Sequence, residues 1–124
     1  MANPNIVNVT AIYGTTTYAA LSTTSPTTLL SNAASSGLVY KVDDIVVSNV
    51  NGSTAATVTV SVNSAAAGGG TAYRLAYNIS VPAGASLIVT DKSTAFYLME
   101  NQSVVITAGT ANYLEAVLSY ENIS

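Results

Sequence analysis

From Ala56 to Val62 the chain alternates without interruption, with Val58, Val60 and Val62 on one side and Thr57, Thr59 and Ser61 on the other. An extended strand sends successive side chains to opposite faces, so this pattern specifies one face towards a core and one towards water. The same two-residue period returns from Thr71 to Val81, where Tyr73, Leu75, Tyr77, Ile79 and Val81 alternate with Ala72, Arg74, Ala76, Asn78 and Ser80. That alternation puts Tyr73 and Tyr77 on one strand face. The segment Leu38 to Val50 is long and apolar, but Val42, Ile45, Val46, Val47 and Val50 lose their alternation near Asp43-Asp44, which predicts a bulge or bend there. Asn51-Gly52-Ser53 predicts a hairpin turn into the strand that begins at Ala56, because Asn and Gly both tolerate positive φ.

Turn residues punctuate the rest of the chain. A first strand is predicted from Asn5 to Tyr13, ended by Gly14, and a weaker pair from Thr17 to Leu21 and Thr27 to Ser31 around Ser25-Pro26. Asn32 to Gly37 is a small-residue turn. Ala65 to Gly70 ends in three consecutive glycines, whose entropy cost inside an element predicts a mobile loop. Pro82-Ala83-Gly84 and Asp91-Lys92-Ser93 are further turns, with short strands at Leu87–Thr90, Phe96–Met99, Val104–Thr107 and Tyr113–Tyr120. No segment supports a long helix. About eight to ten short strands in a chain of 124 residues predict one all-β domain over 1–124, a single antiparallel β-sandwich of jelly-roll-like or immunoglobulin-like form. Residues 1–8 or so form a short N-terminal arm outside it.

The chain has no cysteine and no histidine. That removes disulfides, thiolate metal sites and cysteine nucleophiles, together with the commonest general base and metal ligand. A hydrolase would have to activate a hydroxyl with Lys41, Lys92 or a carboxylate, and no catalytic motif frames either lysine. An enzyme is not expected, nor is a cofactor. Asp43-Asp44 is the only acidic pair, and neighbours on a strand diverge, so two converging metal ligands would need a bulge to re-aim one of them. With Lys41 the pair reads more simply as a solvated strand end. The glycines at 68–70 lack the following lysine and helix of a phosphate cradle.

Three basic and six acidic side chains leave a formal charge of −3, and Lys41, Arg74 and Lys92 are isolated in sequence. Nucleic-acid binding is therefore not expected. No apolar run reaches the length of a membrane span. The opening Met1-Ala2-Asn3-Pro4-Asn5 has no basic region before an apolar stretch, so a chain made in the cytoplasm, without a secretory leader, is expected. Asn-X-Ser/Thr triplets at Asn8, Asn51, Asn78, Asn101 and Asn122 follow from a composition rich in those residues. A surface made mostly of Ser, Thr, Asn and Ala has little charge to hold copies apart, which suits contact with other subunits as well as it suits water. Tyr73 and Tyr77 could present a carbohydrate or partner surface, or could cap the core edge with their hydroxyls in water.

Three stretches support a resemblance: Asn78-Ile-Ser-Val-Pro-Ala-Gly-Ala-Ser-Leu-Ile-Val-Thr90, Phe96-Tyr-Leu-Met-Glu-Asn-Gln-Ser-Val-Val-Ile-Thr-Ala108, and the ending Leu114-Glu-Ala-Val-Leu-Ser-Tyr-Glu-Asn-Ile-Ser124. With the opening Met1 to Gly14 they resemble a group of short virion structural proteins of marine tailed phages, including those infecting cyanobacteria. Where that group often has Glu-Gly-Asp before the penultimate strand, this chain has Glu100-Asn101-Gln102, which puts an acidic contact at that turn in doubt. The resemblance implies a protein made in a bacterial host cytoplasm and located in the virion. It further implies a capsid decoration (cement) protein that bridges neighbouring capsid subunits, with the major capsid protein or other virion proteins as partners and a homo-oligomer, a trimer for instance, as its assembly. Ala2, Asn3, Pro4 and Asn5 of the arm would then be contact residues, with the arm to Asn8 lying across the capsid and its removal leaving the domain folded. The alternative is a tail, neck or fibre component that binds a receptor or glycan through Tyr73, Tyr77 and the loop at 65–70.

Overall fold

A computed structural model describes residues 3–124. Nine strands are present: β1 (Ile12–Ala20), β2 (Thr27–Asn32), β3 (Val39–Asn49), β4 (Ala56–Asn63), β5 (Ala72–Val81), β6 (Ser86–Thr90), β7 (Phe96–Leu98), β8 (Gln102–Ala108) and β9 (Leu114–Ile123). Among the described residues the only helical turns are two of 3-10 type, Ala66–Gly68 and Lys92–Thr94.

The pairing follows one rule, a long hairpin folded at the loop between β4 and β5. β4 pairs β5, β3 pairs β6 and β7, β2 pairs β8, and β1 pairs β9, all antiparallel. Rolling that ribbon adds the contacts β3–β9 and β4–β8. The result is two sheets, ordered β1-β9-β3-β6, with β7 also on β3, and β2-β8-β4-β5. This is the eight-stranded jelly roll, with β6 and β7 together taking one strand position. An immunoglobulin sandwich would group its strands differently, so the strand order decides between the two forms left open by the sequence.

Between the sheets lie Leu21, Val42, Ile45, Val47, Val58, Val60, Val81, Leu98, Val104, Ile106, Leu114 and Leu118, each at most 2 % exposed. The bend at Asp43-Asp44 is real: the register of β3 against β9 slips between Val42 and Asp44. The slip moves the inward phase from the even positions Tyr40 and Val42 to the odd positions Ile45, Val47 and Asn49, which is why the sequence loses its alternation there.

Three local expectations are corrected. The first strand starts at Ile12 rather than Asn5 and runs through Gly14, because at the sheet edge a glycine has open space around it and breaks nothing. Asn51-Gly52 joins no hairpin, since β3 and β4 lie in different sheets. Gly52 is not among the glycines with positive φ; Asn51 Oδ1 instead accepts from the backbone N–H groups of Ser53 (2.9 Å) and Thr54 (2.8 Å), turning the chain from one sheet to the other. The buried Asn49 holds that corner. Its Nδ2 donates to the carbonyls of Thr54 and Val81, both at 2.9 Å, and its Oδ1 accepts from the Asn51 N–H.

The third correction concerns the loop at 65–70, which is tied down across the outer face of the second sheet. Ala66 N–H donates to Asn101 Oδ1, Ala67 N–H to Ser31 Oγ and Gly68 N–H to Ser103 Oγ, while Asn63 Nδ2 donates to the Gly68 carbonyl. Ser103 Oγ in turn donates to the Ala65 carbonyl at 2.7 Å. Gly68 and Gly70 sit at φ 77° and 70°, and a Cβ on Gly70 would collide with Ser64 and with the backbone of Ala65. The glycines serve close packing rather than freedom. The loop also explains why Ser61, Asn63 and Ser103 are buried although they face away from the core.

Candidate interaction surfaces

The outer face of the first sheet carries two apolar regions. One lies at the end where β3 begins and β9 finishes. Val39 and Ile123 are a directly paired couple whose strand phase points them away from the main core, yet they are only 3 % and 4 % exposed. The chain from Asn3 onward lies against Val39, while Ile123 is flanked on its other side by its β1 partner Ile12. Asn3, Pro4 and Ile6 line one wall of a cleft of about 240 Å³ whose other wall is Val39, Tyr97 and Met99. Asn3 Oδ1 accepts from the Glu100 N–H at 3.2 Å, Asn5 Oδ1 accepts from the Val7 N–H at 3.0 Å, and Thr10 and Ala11 donate to the Ser124 carbonyl. Asn3 and Pro4 therefore lie along their own domain, while Asn5 is exposed and bonds to Val7 and Asn8 within the arm. Ala2 falls outside the described residues. Glu100 has a positioning role of its own, with Oε2 accepting from the Gly37 N–H at 3.0 Å.

The second region is a row running across all four strands. Tyr18 of β1 is opposite Val117 of β9, Val117 is opposite Val46 of β3, and Val46 is opposite Ile88 of β6. Tyr18, Val117 and Ile88 are 76 %, 43 % and 62 % exposed. Hydroxyl pairs flank the row, Thr16 with Ser119 on one side (3.2 Å) and Ser48 with Ser86 on the other (2.9 Å). The sequence did hold a signal for this row: Ile45-Val46-Val47 has three apolar residues in succession, so one of them must face outward. That Val46 would meet Tyr18, Val117 and Ile88 depends on register, which no single strand specifies.

Tyr73 and Tyr77 do not share a face. The pairing of β4 with β5 slips twice, between Val58 and Val60 and between Val60 and Ser61. Leu75 is the extra residue at one slip, and Asn78, at φ 48°, accompanies the other. Tyr73 is thereby paired with Val62 in the inward phase at the rim, whereas Tyr77 lies outward under the Arg74 guanidinium, 5.4 Å from the ring centre. The sequence expectation assumed an unbroken strand, and the bulge at Leu75, which lies between the two tyrosines, puts them in opposite phases.

The charged groups of the first sheet meet near the Asp43 bulge. Lys41 Nζ is 3.9 Å from Glu121 Oε2. Burial, and then the neighbouring Asp43 carboxyl, push the Glu121 carboxyl above its ordinary value of 4.5, against the opposing pull of Lys41 and Lys92. A carboxyl that holds its proton more tightly when folded makes the native state bind more protons than the unfolded one above pH 4.5, so stability falls as pH rises through that window. Asp91 has the opposite sign. Hydrogen bonds from Ser93 and Thr94 hold it below 3.8, so its contribution is present at neutral pH and is lost only in stronger acid. Glu121→Gln is accordingly expected to raise Tm at pH 7 and to leave it nearly unchanged at pH 4; equal shifts at both pH values in thermal scans would refute this assignment. Among the described residues no three acidic side chains converge into a cation-holding group.

No protein-family model matches the chain, and no curated protein matches it. Solved structures do. One is from the work describing Bacillus endospore appendages as a family of disulfide-linked pili, with 14 % identity, a TM-score of 0.53, and coverage of 91 % of this chain and 88 % of that one. Another is from the acidic stable capsid of Helicobacter pylori bacteriophage KHP30, with 13 % identity, a TM-score of 0.53, and coverage of 94 % and 90 %. At these identities the likeness is one of fold, shared over 91 % and 94 % of this chain.

Proposed function

We propose that this chain is a structural protein of a phage virion, and that its place is on the capsid as a decoration protein bridging capsid subunits. The observation that supports this reading most is the outward apolar row Tyr18–Val117–Val46–Ile88, three of whose four side chains are largely exposed, on the outer face of the first sheet. Contiguous exposed apolar surface on a small domain marks contact with another macromolecule. The flanking Thr and Ser hydroxyls supply the polar rim such contacts use. The fold shared with a chain of a phage capsid adds to this, as does the resemblance of the Asn78–Thr90 and Phe96–Ala108 stretches to virion proteins. The partner would be the major capsid protein or another virion protein. A weak contact repeated over a lattice gains by multivalency what it lacks singly. The alternative, a tail, neck or fibre component binding a receptor or glycan through Tyr73, Tyr77 and the loop at 65–70, is less favoured because the two tyrosines lie in opposite phases of β5.

Quantitative mass spectrometry of purified particles tests the placement. A copy number comparable to that of the major capsid protein is expected. A count of a few to a few dozen copies would move the protein to the tail, neck or fibres.

A further inference from the structure

Four edges bound the two sheets, and three of them are protected against pairing with another chain. β5 slips register twice and carries Arg74. β2 slips between Thr28 and Leu30, and the 65–70 loop bonds to it through Ser31. β6 and β7 are five and three residues long and are separated by the Lys92–Thr94 turn. Bulges, short strands and charge are the usual devices against edge-to-edge association. β1 has none of them. Its nine residues, Ile12-Tyr-Gly-Thr-Thr-Thr-Tyr-Ala-Ala20, contain no charge and no proline, and they pair β9 without a slip. Ile12, Tyr13 and Tyr18 are 51 %, 66 % and 76 % exposed, on both faces of the strand.

We propose that the β1 edge is the seat of a second copy of this chain, the two β1 strands pairing antiparallel about a two-fold axis at Thr16. The occupant follows from the order of side chains. Under that axis Ile12 is opposite Ala20, Tyr13 opposite Ala19, Gly14 opposite Tyr18, and Thr15 opposite Thr17. Every bulky residue meets a small one, and the three threonines meet each other. Gly14 has nothing within 4 Å of the position its Cβ would take, so the Tyr18 ring of the second copy has room to lie over it. A register centred on Thr15 would set Ile12 against Tyr18, and one centred on Thr17 would leave Ile12 and Tyr13 beyond the overlap. An isologous contact of this kind closes as a dimer. Because opposed residues share a phase, both cores lie on the same side of the joined sheet. The inference stands on the β1 edge alone and does not rest on the virion reading.

The absence of cysteine makes the test direct. Directly opposed residues of an antiparallel pair have Cβ atoms about 4.5–5.5 Å apart, within reach of a disulfide after small adjustment. Thr16→Cys in the full chain is expected to cross-link to a covalent dimer under mild oxidation far faster than Ser93→Cys, which sits on an exposed turn. Sedimentation equilibrium should give a dimer of the 12.6 kDa chain, and Thr16→Lys should convert it to a monomer with an unchanged circular dichroism spectrum. A monomer at all concentrations, equal cross-linking of the two cysteine variants, or a dimer indifferent to Thr16→Lys would each overturn the proposal. All three readouts use the purified protein without capsids, so their failure leaves the capsid placement to its own test.

Discussion

Replacing Asn49 with alanine is expected to lower the stability of the domain by about 3 kcal/mol, since a buried partner left without its hydrogen bond costs about 1–3 kcal/mol. The side chain is 2 % exposed and makes three hydrogen bonds, to Thr54, Val81 and Asn51. Alanine would leave the Thr54 and Val81 carbonyls and the Asn51 N–H without that partner, and the cavity would be too polar to collapse at no cost. The loss reaches beyond the packing of one residue. These bonds hold together the chain leaving β3, the chain entering β4 and the end of β5, at the corner where the chain passes from one sheet to the other. Urea unfolding with linear extrapolation checks the value. A loss below 1 kcal/mol would mean that water replaces the amide, and that the corner is held by its backbone alone.

Deleting residues 3–8 is expected to cost about 2 kcal/mol and to lower Tm by roughly 5–10 °C, part of the 1.5–3 kcal/mol that full burial of each aliphatic side chain contributes. The reason is the satellite cluster on the outer face. Val39 would be uncovered, Tyr97 and Met99 would be more exposed, and the Asn3–Glu100 bond would be lost. The truncated domain is still expected to fold, as the sequence-based expectation has it, but with lower stability. Differential scanning calorimetry of the truncated chain measures the loss. An unchanged Tm would mean that the arm does not pack on its own domain in solution and is available to a partner from Asn3 onward.

How much of this was legible in the sequence varies with the range of the interaction. The strand at Ala56–Asn63, the turns at Pro82–Gly84 and Asp91–Ser93, and the bend at Asp43-Asp44 are local, written in period and in turn chemistry, and the structure has all of them. Asn51-Gly52 was misleading for a physical reason. The dipeptide favours a reversal, but whether the strands on either side share a sheet depends on what each pairs with elsewhere. β3 finds β9 and β6, and β4 finds β8 and β5. The candidate surfaces were less legible still. Tyr73 and Tyr77 were separated by a bulge at Leu75 that alternation does not reveal. That Val39 is outward and lies against Asn3, Pro4 and Ile6 depends on the bulge in β3 and on where the N-terminal segment packs, neither of which the strand's own residues specify.

The sequence by itself determined that this is an all-β domain, because alternating β-branched residues without helical periodicity leave the backbone no other way to bury one face. It also determined that chemistry requiring histidine or cysteine is closed to it. Only the tertiary structure decided the jelly-roll order of the strands, since the nested pairs β1–β9, β2–β8 and β3–β6 outside the β4–β5 hairpin join residues far apart in the chain. It likewise decided which apolar side chains remain outside. Tyr18, Val46, Ile88 and Val117 are unremarkable one by one, and they become a surface only when four strands bring them into register.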